Sequence, residues 1–309
     1  MSIEPDDHAS PLRVPPDASN RLATFETHRR LLFSIAYRML GTVADAEDVL
    51  QDAFVRWQRA SAAEIRSPKA FLVTIVSRLC INHLQSARMR RETYVGEWLP
   101  EPVVTAMDND APDAVEVDES VSIALLLLLE RLTPAERAVF LLHEVFDYKH
   151  AEIADTLGVT EANSKQLLRR SQQHVHLERP RFSSSLREHT DLLERFQQAA
   201  ASGDMSRLVT LLAGDVVLHT DGGGKAAALV LPVVGADKVA RAAVHGLRRL
   251  ASLNVLMRIV QINGVPGIVS YHDGRPQSVF TIEVRDGRIE AIFIVTNPDK
   301  LVHLPPPPF

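Results

Sequence analysis

"ADTLGVTEANSKQLLRR", residues 154–170, decides how the middle of this 309-residue chain folds. Ala154 and Leu157, with Ala151 and Ile153 just before them, lay out an apolar face at helical spacing. Gly158 permits a tight turn, and Thr160 is a side chain able to cap a following helix. That second helix presents Glu161, Asn163, Lys165 and Gln166 early, side chains long enough to reach base edges. Arg169 and Arg170 come next, better placed for phosphates. The pattern is that of a helix-turn-helix; an ordinary helical hairpin with a polar face is the alternative it leaves open.

The bulk charge does not suggest a nucleic-acid binder, because the chain carries a formal net charge of −5. The average hides segregation. Arg78 to Arg91 holds four arginines and no acid, and Lys165 to Arg181 holds five basic residues against Glu178. Glu101 to Glu119 holds seven acids and no base. Local basic footprints on an acidic molecule follow, although solvated helix faces would look the same. A hydrophobic content of 46% with 24% charged residues is ordinary for globular protein, and the length suits two or three domains. The single cysteine, Cys80, excludes an intramolecular disulfide and fits a reducing compartment. The first twenty residues have no apolar stretch of the signal-peptide kind. The longest apolar run, Ile123–Leu129, falls far short of the about 20 residues that a bilayer span needs. A cytoplasmic protein with no membrane partner is expected.

Composition and periodicity divide the chain. Residues 1–20 read as a disordered tail and 21–95 as helices, with a stop at Gly41 and a start at Ser67-Pro68. Residues 96–121 contain three prolines and the acid run, and read as a linker. Helices return over 122–182, where Thr133, Pro134 and Glu136 spell a capping box. Over 187–304 helical and strand-like runs mix, giving α+β with an antiparallel sheet, and Asp286-Gly287 marks a two-residue hairpin. Residues 305–309 are a proline tail. In "DVVLHTD" strand alternation puts Val217, His219 and Asp221 on one face. Lining a cavity, His219 and Asp221 would supply an acid/base pair with Tyr271 as a third member; facing solvent, they would do nothing. The twelve histidines are scattered and no cysteines pair, so neither a metal nor a cofactor is expected.

The flanks of the helix-turn-helix settle its reading. "LFSIAYRMLGTVADAEDVLQDAFVRWQRA" followed by "SPKAFLVTIVSRLCINHLQSARMRR" resembles region 2 of the sigma-70 superfamily. "LTPAERAVFLLHEVFDYKHAEIADTLGVTEANSKQLLRR" resembles region 4. Both in order, with only a linker between, look like an extracytoplasmic-function (ECF) sigma factor. "WLPEP" (98–102), "DGGGK" (221–225) and "NPDKL" (297–301) look like the markers of a subgroup with a fused SnoaL-like domain. The implied fold is multidomain: two all-α modules, then an α+β SnoaL-like cone-shaped barrel.

The resemblance also implies a function. The chain would be an alternative sigma factor, without enzymatic activity, that binds bacterial core RNA polymerase and promoter DNA. Asp45, Asp48, Asp52 and Trp57 would dock on the polymerase clamp. The three carboxylates fall on one stripe beside an apolar stripe of Ala46, Val49, Leu50, Ala53, Phe54 and Trp57. Arg78, Asn82, Arg88, Arg90 and Arg91 would contact the downstream (−10) element. Glu161, Asn163, Lys165, Gln166, Arg169 and Arg170 would contact the upstream (−35) element. Trp98, Leu99, Asp221, Lys225, Asn297, Asp299 and Lys300 would regulate in cis, with no separate anti-sigma factor required, and the barrel leaves room for a small ligand. Two rivals stand beside this: a ligand-sensing helix-turn-helix repressor, and a SnoaL-like cyclase or isomerase. Neither needs the acidic stripe. The wording "EANSKQLLRR" departs from the valine-lysine-serine-arginine run of many members, so no promoter sequence is implied.

Overall fold

The computed structural model describes residues 16–61, 65, 67–91, 94–106, 122–176, 185–253 and 255–307. Three helices open it: α1 (Pro16–Leu40), α2 (Val43–Arg59) and α3 (Pro68–Arg91). Gly41, at φ 77°, ends α1, and the Thr42 hydroxyl accepts from the Asp45 amide at 3.3 Å to start α2. The apolar stripe of α2 turns inward, burying Ala46, Val49, Leu50, Ala53 and Trp57. It packs on Leu32, Ala36 and Tyr37 of α1 and on Leu72, Val76 and Cys80 of α3.

The second helical group is α4 (Ile123–Leu129), α5 (Pro134–Phe140), a π-helical turn (Leu141–Val145), α6 (His150–Leu157) and α7 (Glu161–His176). The capping box at Thr133 and Glu136 is present, and Gly158 at φ 70° makes the turn between α6 and α7. The two groups share one hydrophobic core, in which Ala138, Phe140 and Ile153 join the residues of α1–α3. Arg137 is buried there and donates to the Met39 carbonyl at 2.6 Å. Burial lowers its pKa to about 10. The Arg38 guanidinium lies over the Phe146 ring at 5.1 Å.

The C-terminal domain packs α8 (Leu186–Ser202), α9 (Met205–Leu211) and α10 (Ala236–Ser252) against a sheet. Its strands are β2 (Leu212–Asp221), β3 (Val233–Val234), β4 (Leu256–Ile262), β5 (Val265–His272), β6 (Arg275–Arg285) and β7 (Arg288–Val295). A seventh, β1 (Val104–Ala106), comes from the segment between the helical groups and pairs with β4. The order is β1-β4-β5-β6-β7-β2-β3. The expectation of a purely antiparallel sheet needs correcting, because β2 and β7 are parallel. The long intervening chain, α10 and the β4–β6 meander, supplies the crossover that parallel neighbours require. Asn263-Gly264, Asp273-Gly274 and Asp286-Gly287 all have positive φ, which gives the twist of two-residue hairpins.

The two faces of the sheet have different partners. Leu218, Ile282 and Ile292 point to the helix layer, where Leu193, Phe196, Leu208 and Val239 cover them. Val269, Tyr271, Val279 and Phe293 point the other way, and Leu99, Val104, Ile123 and Ala124 cover those. The second face is thus closed by the linker and the first turn of α4. No described helix is long and apolar enough to cross a membrane.

Candidate functional site

Residues 94–106 form a strap that touches both the first helical group and the C-terminal domain. Its middle is Leu99, whose backbone N–H and C=O are both held by the C-terminal domain. The Leu99 amide donates to Asp221 Oδ2 at 2.8 Å, and Lys300 Nζ donates to the Leu99 carbonyl. Lys300 and Asp221 pair with each other at 2.7 Å, both side chains nearly or wholly buried. The Lys300 ammonium also sits 4.2 Å from the centre of the Trp98 ring and 5.2 Å from that of Tyr94. Asp221 accepts further from the Tyr94 hydroxyl at 2.6 Å and the Gly223 amide at 3.0 Å. Burial and that carboxylate push the Tyr94 pKa well above the ordinary phenol range. Asn297 donates to the Tyr94 oxygen at 2.8 Å, and a Cβ on Gly223 would lie 2.3 Å from that same amide nitrogen. Glycine at 223 therefore follows from close approach as well as from its φ of 59°. Lys225 and Asp299 add an exposed ion pair at 2.5 Å.

The other end of the strap grips the first helical group. The Glu101 amide donates to the Gly41 carbonyl at 2.8 Å, and the Val43 amide donates to Glu101 Oε2 at 2.6 Å. The Tyr37 hydroxyl donates to the Glu101 carbonyl at 2.6 Å and accepts from Asn263 at 2.7 Å. Asn263 also accepts from the Val103 amide at 3.0 Å. His303 Nδ1 stands 2.6 Å from Glu101 Oε1. Burial opposes protonation of His303, yet Glu101 and the Pro102 carbonyl raise its pKa above the ordinary value.

Helix α7 carries an exposed polar face. On α7, Glu161, Asn163, Lys165, Gln166, Arg169 and Arg170 are all exposed, while Ser164, Leu168, Ser171 and Val175 anchor the helix. Glu161 and Lys165 pair at 2.7 Å, which lowers the Glu161 pKa. Thr160 caps α7 by accepting from the Asn163 amide at 3.1 Å.

Comparison with known proteins decides what these parts are. Family models match Sigma-70 region 2 over residues 24–90 and Sigma-70, region 4 over residues 122–175. The ECF RNA polymerase sigma factor SigJ of Mycobacterium tuberculosis is 39% identical over 296 residues, covering 92% of this chain and 94% of the relative. A probable ECF RNA polymerase sigma factor, SigI, of the same species is 31% identical, covering 90% and 94%. The crystal structure of M. tuberculosis SigJ superposes with a TM-score of 0.73 at 37% identity, covering 90% of this chain and 97% of that one. The chain belongs to the ECF sigma factors.

The regions of this sigma factor then sort the expected site residues. Asp48 and Asp52 are exposed on the region 2 helix α2. Asp45 is only half-exposed, accepting from Thr42 at 2.6 Å and lying 3.2 Å from His83. Trp57 needs correcting as a surface residue. It is buried, donates to the Arg21 carbonyl at 2.9 Å and packs against Phe71. It belongs to the apolar stripe, five residues on from Asp52 and so about 140° around the helix from it, while Asp48 and Asp52 remain outside. Asn82 is exposed, and Arg78, although exposed, donates to the Thr156 and Asp155 carbonyls of α6 at 2.8 and 3.3 Å. The side chains of Arg88, Arg90 and Arg91 lie outside the described residues, as does most of the acid run.

The conditional acid/base set is engaged elsewhere. His219 stacks on Phe293 at 5.1 Å and lies 2.7 Å from Glu97 of the strap. Asp221 receives four donors, and Tyr271 is buried in the apolar layer beneath the strap. Among the strap's anchors, Tyr37, Tyr94, Asn263 and His303 were not singled out by sequence reasoning. Only Asn263 carried a signal, its Asn-Gly turn.

Proposed function

We propose that this sigma factor is regulated in cis: the strap holds the two promoter-reading regions closed until core RNA polymerase takes them. The observation that carries this is the Leu99 peptide, gripped on both sides by Asp221 and Lys300 of the C-terminal domain. The same strap reaches region 2 through Glu101, so the C-terminal domain acts on region 2 by way of residues 94–106. Region 2 and region 4 meanwhile share a core, and Arg78 has its guanidinium on carbonyls of α6. Reading two separate promoter elements requires that this packing open.

In the open state the exposed Asp48 and Asp52 dock on a basic surface of the polymerase, α3 with Arg78 and Asn82 meets the downstream element, and α7 meets the upstream element. The work is recognition, without covalent chemistry: cations supply salt-dependent affinity and a few polar side chains select sequence. Closure is internal, so no separate anti-sigma factor is needed for it.

Transcription in vitro with purified core polymerase tests the proposal, comparing the full chain with one ending at Thr296. The shorter chain keeps all seven strands and loses Asn297, Asp299 and Lys300. The full chain is expected to initiate above core alone, and the shorter one to initiate several-fold more. Equal output from the two would sink regulation through the strap; no initiation from either would sink the promoter-reading assignment itself.

A further inference from the structure

The outer face of α10 has no role in the closed assembly. Lys238, Arg241, His245 and Arg249 are exposed on it. At about 100° per residue they fall within about 80° of arc, and Lys238 and Arg249 stand about 16 Å apart along the axis. None of the four side chains has a hydrogen-bond or ion-pair partner among the described residues. Arg248 is excluded from the row, because its guanidinium leans on the C-terminal end of α8 beside Gly203. The inner face, with Val239, Ala240 and Val244, is fully used against the sheet. A row of unpaired cations, with Asp237 the one acid on the helix, on a chain of net charge −5 is an electrostatic footprint that suits a polyanion.

Placement narrows the polyanion. The strap uses one face of the sheet and α10 lies on the other, so the row stays accessible whether the strap is docked or not. The C-terminal domain also follows the recognition helix directly in sequence. From His176, the end of α7, to Ser185, where α8 is capped, there are nine chain steps, which span about 32 Å at most. A helix-turn-helix seated on duplex DNA therefore keeps the start of α8 within about 32 Å of the end of α7, and α10 belongs to the same domain as α8.

We infer that α10 binds the phosphate backbone of duplex DNA through Lys238, Arg241 and Arg249, giving this sigma factor a DNA contact outside regions 2 and 4. The inference rests on the DNA-reading role proposed above for α7 but is tested without polymerase, so the two can fail separately. The contact is sequence-independent: phosphates present one charge per about 1.7 Å of duplex axis, and the row reads no base edge.

The test is fluorescence anisotropy of a mixed-sequence duplex of about 40 base pairs, titrated with the full chain between about 50 and 200 mM salt. The variants are K238A/R241A/R249A on α10, its charge-keeping counterpart K238R/R241K/R249K, and K165A/R169A/R170A on α7. Each α10 position is exposed, and thermal melts check that the variants fold. The α10 alanine variant is expected to lower the salt slope by about two to three, at about 0.9 per phosphate, with roughly tenfold weaker binding at the lowest salt. The charge-keeping variant is expected to match the wild type. An alanine variant with the wild-type slope overturns the inference, whatever the α7 variant does. So does an alanine variant that binds DNA more tightly, since the row would then be holding the chain's own acidic segment between Glu101 and Glu119. Failure of the wild type to bind the duplex overturns it as well.

Discussion

Asp221 and Lys300 form an ion pair at 2.7 Å, and the Leu99 peptide lies against both, its amide on the carboxylate and its carbonyl on the ammonium. The pair closes three sequence motifs on one another, because Asp221 opens "DGGGK", Lys300 sits in "NPDKL" and Leu99 in "WLPEP". Neither charge has water to fall back on, with Asp221 fully and Lys300 almost fully buried. Two more donors on Asp221 and two aromatic faces around Lys300 offset the desolvation.

Removing one partner of this pair leaves the other buried and uncompensated. D221N and K300M are each expected to lose about 3–5 kcal/mol of stability in urea unfolding. The double variant D221N/K300M is expected to recover part of the sum, because no lone charge remains. Single variants within about 0.5 kcal/mol of wild type, the range of ordinary surface changes, would remove the pair from the account of the strap.

Gly41 links region 2 to the strap by contact as well as by its carbonyl. Its φ is 77°, and a Cβ there would lie 2.7 Å from Trp98 Cη2. G41A therefore carries about 1 kcal/mol of left-handed backbone cost plus displacement of the indole. Gly96, at φ 85°, has nothing within 4 Å of such a Cβ and provides the control. G41A is expected to destabilise more than G96A and to shift Trp98 fluorescence, while G96A leaves the fluorescence alone. Equal effects would mean that the Trp98 contact contributes nothing.

The helical regions were legible because their signals are local: Gly41, Ser67-Pro68, Thr133 and Gly158 each act within one turn of where they stand. The six α7 residues were legible for the same reason, since helical periodicity alone separates them from Ser164, Leu168 and Ser171. Periodicity also held the information that moves Trp57 inward, as it shares a stripe with Val49, Leu50 and Ala53. Strand alternation put His219 and Asp221 on one face of β2, but what covers that face comes from residues 122 positions away. Tyr94 and His303 find their partners across 127 to 203 positions, and no local pattern encodes such pairings. The parallel β2–β7 pair escaped for this reason too.

Asp48, Asp52 and Trp57 lie within three turns of α2 yet should behave as opposites. W57A removes a buried indole and its hydrogen bond to Arg21, and is expected to cost about 3–5 kcal/mol of stability. D48N/D52N alters exposed side chains and is expected to leave stability within about 0.5 kcal/mol. Its effect should appear in binding to core polymerase, as slower association and a weaker dependence on salt. Core binding by D48N/D52N at the wild-type rate and salt dependence would exclude this face as the docking surface.

Glu283 gives the closed assembly a pH dependence of its own. It is buried on β6 and takes a hydrogen bond from Ser122, whose oxygen caps α4 by accepting from the Leu125 amide at 3.2 Å. Burial, first, raises its pKa to about 7 from an ordinary 4.5; Glu290 adds to the rise and Ser122 works against it. The folded pKa thus lies above the unfolded one, and the folded chain holds more protons between the two values. Stability from this group is full below about pH 4.5, falls as pH rises through about 7, and is gone above that. The whole step is worth roughly 3 kcal/mol at 1.36 kcal/mol per pKa unit. E283Q keeps the shape and removes the titration, so it is expected to match the wild type near pH 4 and to exceed it by up to about that amount at pH 8. His189, whose pKa burial lowers to about 4, adds a loss of stability as pH falls below the ordinary histidine value of 6.5, but it does so in both proteins and cancels in the difference. Urea midpoints across this range supply the check. Stability curves for wild type and E283Q that run parallel from pH 5 to 8 would show that the buried carboxyl does not tune the seat of α4 on the sheet.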